Sequence, residues 1–301
     1  MTKILGISGR KQCGKNTTAN FLIGLTMTSL GIVRGRFKIN ETGQIWITDL
    51  FGDKEFEGVF DVQRDNENVK AFCEEHLNPY IKLYSFADLL KQHICIDILG
   101  LSHNQCYGSD ADKNGATSYK WSNMPGVITN QKLFNAVDSH INSLIEKDTS
   151  YADNGLTLVY HEDGFMSARD VMQYVGTEIF RKMCPQVWVE SCIRRIESED
   201  CELALICDVR FPNEVTGVQA AGGKVLRLTR NPCTDEDTHD SENALDKDRF
   251  DWNQFDWVVE NADVSIPQHC RLIYEALQTS GWIPEIIELP KDASTDNLHE
   301  K

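Results

Sequence analysis

The ten residues GRKQCGKNTT, Gly9 to Thr18, contain the spacing GxxxxGK in Gly9, Gly14 and Lys15. Glycines at those points let the backbone curl until several N–H groups converge on one anion, and a helix starting just behind adds its positive end. A lysine in that position reaches the β and γ phosphates of a nucleotide as a mobile charge. The chemistry this predicts is the handling of a nucleoside triphosphate with its magnesium ion, Mg2+. Asn16 stands where such loops carry the Ser or Thr that holds magnesium. The hydroxyl comes one place later, at Thr17, which is the expected metal ligand. Since magnesium keeps several waters, an Asn16 amide oxygen holding a metal-bound water is the alternative.

Four further places combine charge or an aromatic face with a useful position. The apolar run LALICD ends in Asp208, followed by Arg210. Open parallel sheets put ligands at that end of a strand, and a guanidinium grips phosphate bidentately; an Asp/Arg pair capping the next helix is the bland alternative. Lys91 falls one turn into the stretch after IKLYSF, on the side a phosphate clamp needs, although a solvated lysine is the commoner use. Arg169 opens ARDVMQYVGTEIFRKMC, in which Gly176 costs the helix about 1 kcal/mol relative to alanine. Gly176 with Thr177 thus implies close approach by another group, either a planar base or a packed helix. Trp188 is core or a stacking face. Arg230 begins a polar stretch, TRNPCTDEDTHDSENALD, whose place after a strand suits a lid that excludes water during phosphoryl transfer.

The elements that must hold these residues follow from apolar patterning. Runs at Lys3–Ser8, Ile81–Phe86, Leu203–Asp208, Lys224–Thr229 and Phe255–Asn261 read as five strands. Helical spacing at Thr17–Thr28, Ala87–Leu99, Ser167–Cys184, Val187–Glu197 and Asn213–Ala221 alternates with them, as in a parallel sheet covered on both faces. The expected fold class is therefore α/β, with one domain over residues 1–301. Two segments break the rhythm and read as insertions, at about 31–80, including a hairpin from Gly35 to Asp53 around a Thr-Gly turn, and at 103–165, with a helix near Gln131 to Ile145. A second small domain is the alternative to insertion. The last dozen residues are polar and expected to fray.

Composition narrows the class. With 46 acidic and 30 basic residues the net charge is −16, which offers no broad basic surface, so a nucleic acid polymer is excluded as partner and any anion site must be local. Ten cysteines without a CxxC pair fit reduced thiols rather than zinc or a disulfide framework. No signal-like start and no membrane-length apolar run are present, so a cytoplasmic protein is expected, in the host cytoplasm if it is viral.

The blocks GRKQCGKNTTANFL, YSFADLLKQ, ARDVMQYVGTEIFRKMCPQVWVE, CDVRFPNEVTGVQAAGGKVLRLTR and DTHDSENALD, taken in order, resemble the deoxynucleoside monophosphate kinases of tailed bacteriophages. The resemblance covers about half of the chain. It implies a P-loop kinase fold with a five-stranded parallel sheet, and transfer of phosphate from ATP with magnesium to a deoxynucleoside monophosphate. Carried over by motif, it implies that Lys11, Gly14, Lys15, Asn16 and Thr17 hold ATP phosphates and metal. Lys91, Arg169, Gly176, Thr177, Trp188, Asp208, Arg210 and Glu214 would surround the acceptor. The family carries Asp where this chain has Asn16, and neither insertion matches it. The expected mechanism is in-line attack by the acceptor's own phosphate oxygen, with Lys15, Arg169, Arg210 and magnesium neutralising charge and Arg230 closing as part of a lid. Two readings compete: a kinase for another acceptor, with Asp208 as base for a hydroxyl, and a nucleotide-binding regulator without turnover. Base selectivity and a homodimer are left open.

Overall fold

In the computed structural model, which describes residues 2–145, 158–231 and 243–283, the chain forms two compact units, Met1–Ala87 with Gln186–Lys301, and Asp88–Pro185. The first unit begins with the apolar strand β1 (Lys3–Ser8), whose last five residues are buried, followed after the glycine loop by helix α1 (Lys15–Ser29). Strands β2 (Phe37–Ile39), β3 (Ile45–Ile47) and β4 (Gly58–Phe60) form a small antiparallel sheet, with Ile39 opposite Ile45 across the Thr42-Gly43 turn. The hairpin expected between Gly35 and Asp53 is thus present, with a third strand added. Helix α2 (Glu67–His76) and strand β5 (Ile81–Tyr84) complete this part.

The second unit opens with a helix of π type over Leu90–Ile98, where the spacing predicts an ordinary helix. It continues through α3 (His103–Tyr107), α4 (Asp110–Lys113), β6 (Ala116–Lys120), β7 (Val127–Ile128), α5 (Gln131–Ile145), β8 (Val159–Tyr160) and β9 (Phe165–Ser167). Strand β6 pairs antiparallel with β9, and β7 pairs parallel with β8. The long helix expected over Ser167–Cys184 is instead α6 (Ala168–Gln173), capped by Ser167 and Asp170, running into a π-type segment over Tyr174–Arg181. Gly176 lies in that segment, buried, and a Cβ on it would come within 2.6 Å of Leu90 Cδ2. The wider turn and the missing side chain accommodate a close helix crossing.

The chain then returns to the first unit with α7 (Val187–Glu199), β10 (Leu203–Val209), α8 (Pro212–Ala220), β11 (Lys224–Leu228), β12 (Trp257–Val259) and α9 (Ile266–Thr279). The five expected strands form one parallel sheet in the order β12, β11, β1, β10, β5. Leu5, Ile7, Leu205 and Leu226 face a core shared with α1, α9 and the hairpin residues Phe37, Ile45 and Ile47. Alternate residues face the other way, where Ile4 meets Val218 of α8 around Gly223 and Val189 of α7 closes on Gly217. Burial on both faces is why these strands read as continuous apolar runs. This order is the α/β architecture of a P-loop kinase, with antiparallel sheets added.

The hairpin is held at its tip by α1 and at its root by its own chain. Its tip accepts, at Gly43 O, a hydrogen bond from Asn20 Nδ2 of α1 at 2.9 Å. Its root is held by Asp49, 4% exposed, which accepts from the backbone N–H groups of Arg34, Gly35 and Gly52. Burial, the largest single influence, pushes this carboxyl's pKa up, but the three N–H groups and the Thr48 hydroxyl overcome it and hold it below the ordinary carboxylate value. Its stabilising effect is therefore complete above the unfolded pKa of about 4 and is lost as pH falls through the lower folded value. Replacing Asp49 by Asn should flatten the acid side of the stability profile, read from urea unfolding between pH 3 and 7; a parallel downward shift at every pH would contradict this account.

Between root and tip, Phe37 lies on Gly24 of α1, so closely that a Cβ there would sit 2.4 Å from the ring. Overpacking costs about 1–3 kcal/mol, against roughly 1 kcal/mol returned by the better helix propensity of alanine. Gly24→Ala should lower the thermal midpoint, and adding Phe37→Leu should restore part of the loss. An unchanged midpoint in the single variant would show that the ring moves aside freely.

Candidate functional site

The glycine loop connects the central strand β1 to α1 through backbone that ordinary residues avoid. Gly14 has φ of +107° and Gln12 of +60°. Gly14 is the N-cap of α1, so it supplies no side-chain cap, and the helix has no acidic residue in its first turn. Helix starts are otherwise commonly capped by Ser, Thr, Asp or Asn. The first-turn N–H groups and the positive end of a 15-residue helix thus face the loop without a built-in carboxylate to compete. Lys15, half-buried, donates from Nζ to the carbonyls of Gly9 at 2.6 Å and Arg10 at 2.7 Å. Its ammonium thus lies over the loop.

The neighbouring side chains divide by role. Lys11 and Asn16 are exposed, Thr17 is half-buried, and Thr18 is buried. The hairpin tip approaches Thr17 so nearly that a Cβ on Gly43 would be 2.4 Å from its hydroxyl. Thr17 and Asn16 offer the hard oxygen donors that magnesium takes, one or two at a time with waters filling the rest. The Thr18 hydroxyl is engaged elsewhere, donating to Gly14 O at 3.1 Å and lying 2.8 Å from His269 Nε2. Arg10 is held by Asp246, with Nε 3.1 Å from Oδ1, and the same carboxylate lies 3.7 Å from Arg227.

Asp208 stands at the carboxyl end of β10, as expected, and its bonds run to the end of the adjacent strand. It accepts from Ser85 Oγ at 2.6 Å, Phe86 N at 2.9 Å and Ala87 N at 3.3 Å. Glu214, 2% exposed, turns back to accept from the N–H groups of Arg210 at 2.7 Å and Phe211 at 3.1 Å, closing the start of α8. Arg210 is half-buried and Trp188 buried. Arg230 is exposed. The segment 232–242 of the expected lid, with His239 and Ser241, lies outside the described residues.

Within the second unit, Lys91 and Arg169 converge on a third cation that sequence reasoning missed, Lys113. Burial first, then the charge of Lys91, holds the Lys113 pKa below its ordinary value; Arg169 adds to this while Asp110 and Asp112 oppose it. Arg169 donates to Asn114 Oδ1 at 2.9 Å and Asp110 Oδ1 at 2.6 Å, and Lys91 Nζ lies 4.9 Å from the centre of the Tyr107 ring. Lys91, Lys113 and Arg169 thus form a local cluster of three cations beside Asp110 and Asp112, in a chain of net charge −16. Lys113 lies in a polar stretch with no periodicity, which gave no signal. Thr177 is exposed in the same unit.

Among the described residues no helix is long and apolar enough to cross a membrane, and no group of three His, Cys, Asp or Glu could hold a metal ion.

The deoxynucleotide monophosphate kinase family matches residues 113–266, just over half of the chain. That range includes Lys113, Arg169, Asp208, Arg210 and Arg230; the glycine loop, Gly9 to Lys15, lies before it. The deoxynucleoside-5'-monophosphate kinase of Escherichia phage T5 is 37% identical over 75 residues, covering 23% of this chain and 27% of that protein. The match therefore spans about a quarter of the phage protein's length. On the family match, the chain belongs to the deoxynucleotide monophosphate kinase family.

Proposed function

We propose that the protein transfers the γ-phosphoryl group of ATP to a deoxynucleoside 5'-monophosphate, giving the diphosphate. The observation that carries this reading is the uncapped start of α1 behind the positive-φ Gly14, with Lys15 across the loop, in a member of a nucleotide kinase family. Lys15 and the amides of the loop are assigned to the ATP phosphates, and Thr17, with Asn16 as alternative, to magnesium. The metal would supply neutralisation of charge on the phosphate oxygens. Lys91, Lys113 and Arg169 are assigned to the phosphate of the acceptor. The reaction belongs in the cytoplasm, where ATP and free monophosphates occur together, and involves no nucleic acid polymer.

A phosphate acceptor simplifies the chemistry. Its second pKa is about 6, so at neutral pH the attacking oxygen is already largely ionised and no general base is required. Catalysis then consists of holding two anions in line and offsetting their repulsion. A hydroxyl acceptor would need a base, and Asp208, the carboxylate best placed to serve, has both oxygens in hydrogen bonds to residues 85–87. This favours the phosphate acceptor over the hydroxyl one.

Lys15→Met should abolish acceptor-dependent ADP release while leaving the circular dichroism spectrum unchanged; a Lys15→Met protein with wild-type turnover would refute the loop's assignment. In the active enzyme, Lys113→Met should raise KM for the monophosphate about tenfold and leave KM for ATP nearly unchanged. Equal effects on both substrates would remove Lys113 from the acceptor site. A panel of individual deoxynucleoside monophosphates, sugars and coenzyme precursors, scored by ADP release, identifies the acceptor; turnover with a non-nucleotide alone would contradict the proposal.

A further inference from the structure

We propose that Asn261 and His269 are positioning residues that lock the peptide planes of the phosphate loop to the end of β11, and so set how tightly the loop grips a polyphosphate. The proposal rests on the reading of that loop as the ATP site. Neither residue carries a motif signal, and both are in the unit that contains the loop.

Asn261, 2% exposed, follows β12 and uses its whole carboxamide. Its Oδ1 accepts from the backbone N–H of Thr229 at 3.1 Å and of Arg230 at 2.9 Å. Its Nδ2 donates to Cys13 O at 2.7 Å and lies 3.2 Å from His269 Nδ1. Because that nitrogen can only donate, His269 Nδ1 accepts and the imidazole proton resides on Nε2. From there it is donated to Thr18 Oγ1 at 2.8 Å, whose own proton goes to Gly14 O. The network closes in one sense only, with a neutral imidazole. Burial, and secondarily the charge of Arg230, hold the His269 pKa down to about 4, which agrees with that single sense.

The consequence for the loop follows from peptide geometry. In a planar trans peptide the C=O and N–H point in opposite directions. The carbonyl of Cys13 is held by Asn261, so the N–H of Gly14 must face the other way. The carbonyl of Gly14 accepts from Thr18 Oγ1 and from Thr18 N at 2.9 Å, which turns the N–H of Lys15 away likewise. Two successive donors are thereby aimed before any ligand arrives, and such preorganisation is what makes backbone amides effective toward anions. The fit is close: a Cβ on Gly14 would lie 3.3 Å from His269 Cε1 and 3.6 Å from Asn261 Nδ2. The same carboxamide holds the N–H groups of Thr229 and Arg230, so the start of the polar stretch after β11 and the loop share one anchor.

The test compares wild type with His269→Leu, which fills the space without hydrogen bonds, and His269→Gln, whose carboxamide can both accept from Asn261 and donate to Thr18. Should the leucine variant fail to fold, Thr18→Val carries the same comparison. Amide hydrogen exchange is measured on the nucleotide-free protein, and ATP affinity by calorimetry. Leucine should speed exchange at the loop amides and at 229–230 about tenfold or more, leave the amides of β10 unchanged, and weaken ATP binding about tenfold; glutamine should restore most of both. Exchange that rises uniformly through the core, or a leucine variant with wild-type exchange and affinity, overturns the proposal. A wild-type protein that binds no ATP refutes the nucleotide reading instead, and the exchange pattern still decides whether the lock exists.

Discussion

The structure depends on one constraint: the carbonyls of Cys13 and Gly14 are held by Asn261 and Thr18, which turns the N–H groups of Gly14 and Lys15 the other way. Backbone of this kind is unfavourable on its own. Gly14 at φ of +107° pays no steric cost, whereas another side chain would be strained there and pressed against His269. The rest of the first unit can be understood as what keeps that turn in place. Strand β1 enters it from the centre of the sheet, paired on both sides by β10 and β11, and α1 leaves it through a core that includes Leu22, Met27 and the hairpin ring of Phe37.

Charge distribution follows the same logic. A chain of net charge −16 cannot collect phosphate by its overall field, so attraction has to come from a few short-range donors and cations. The start of α1 provides donors without a carboxylate nearby in its first turn. Lys91, Lys113 and Arg169 provide a second concentration of positive charge, where burial first and then the charge of Lys91 hold the Lys113 pKa down. Asp110 and Asp112 offset part of that charge, with Asp110 ion-paired to Arg169, and the remaining excess of one positive charge among these five groups is the electrostatic argument for the proposed phosphate there.

Much of this was legible in the residues. The five strands stand out because a parallel sheet covered on both faces needs unbroken apolar runs, and GxxxxGK marks the turn that must follow the first of them. The hairpin was visible in alternation around Thr42-Gly43. The third strand, Gly58–Phe60, is too short for a periodic signal, and the π-type turns at Leu90–Ile98 and Tyr174–Arg181 keep nearly the side-chain spacing of an ordinary helix. Gly176 announced a close approach without saying of what; Leu90 is the neighbour that its missing Cβ admits. His269 gave no signal, because its partner Thr18 is 251 positions away. Lys113 was hidden for a similar reason: its meaning comes from Lys91 and Arg169, which only the fold brings near.

The central claim is that the amides at the start of α1 bind a polyphosphate directly. Titration of ATP into the 15N-labelled protein tests it at those atoms. The account predicts large, saturable shifts of the Gly14, Lys15, Asn16 and Thr17 amide resonances. Saturable ATP binding that leaves those four resonances unmoved would contradict it.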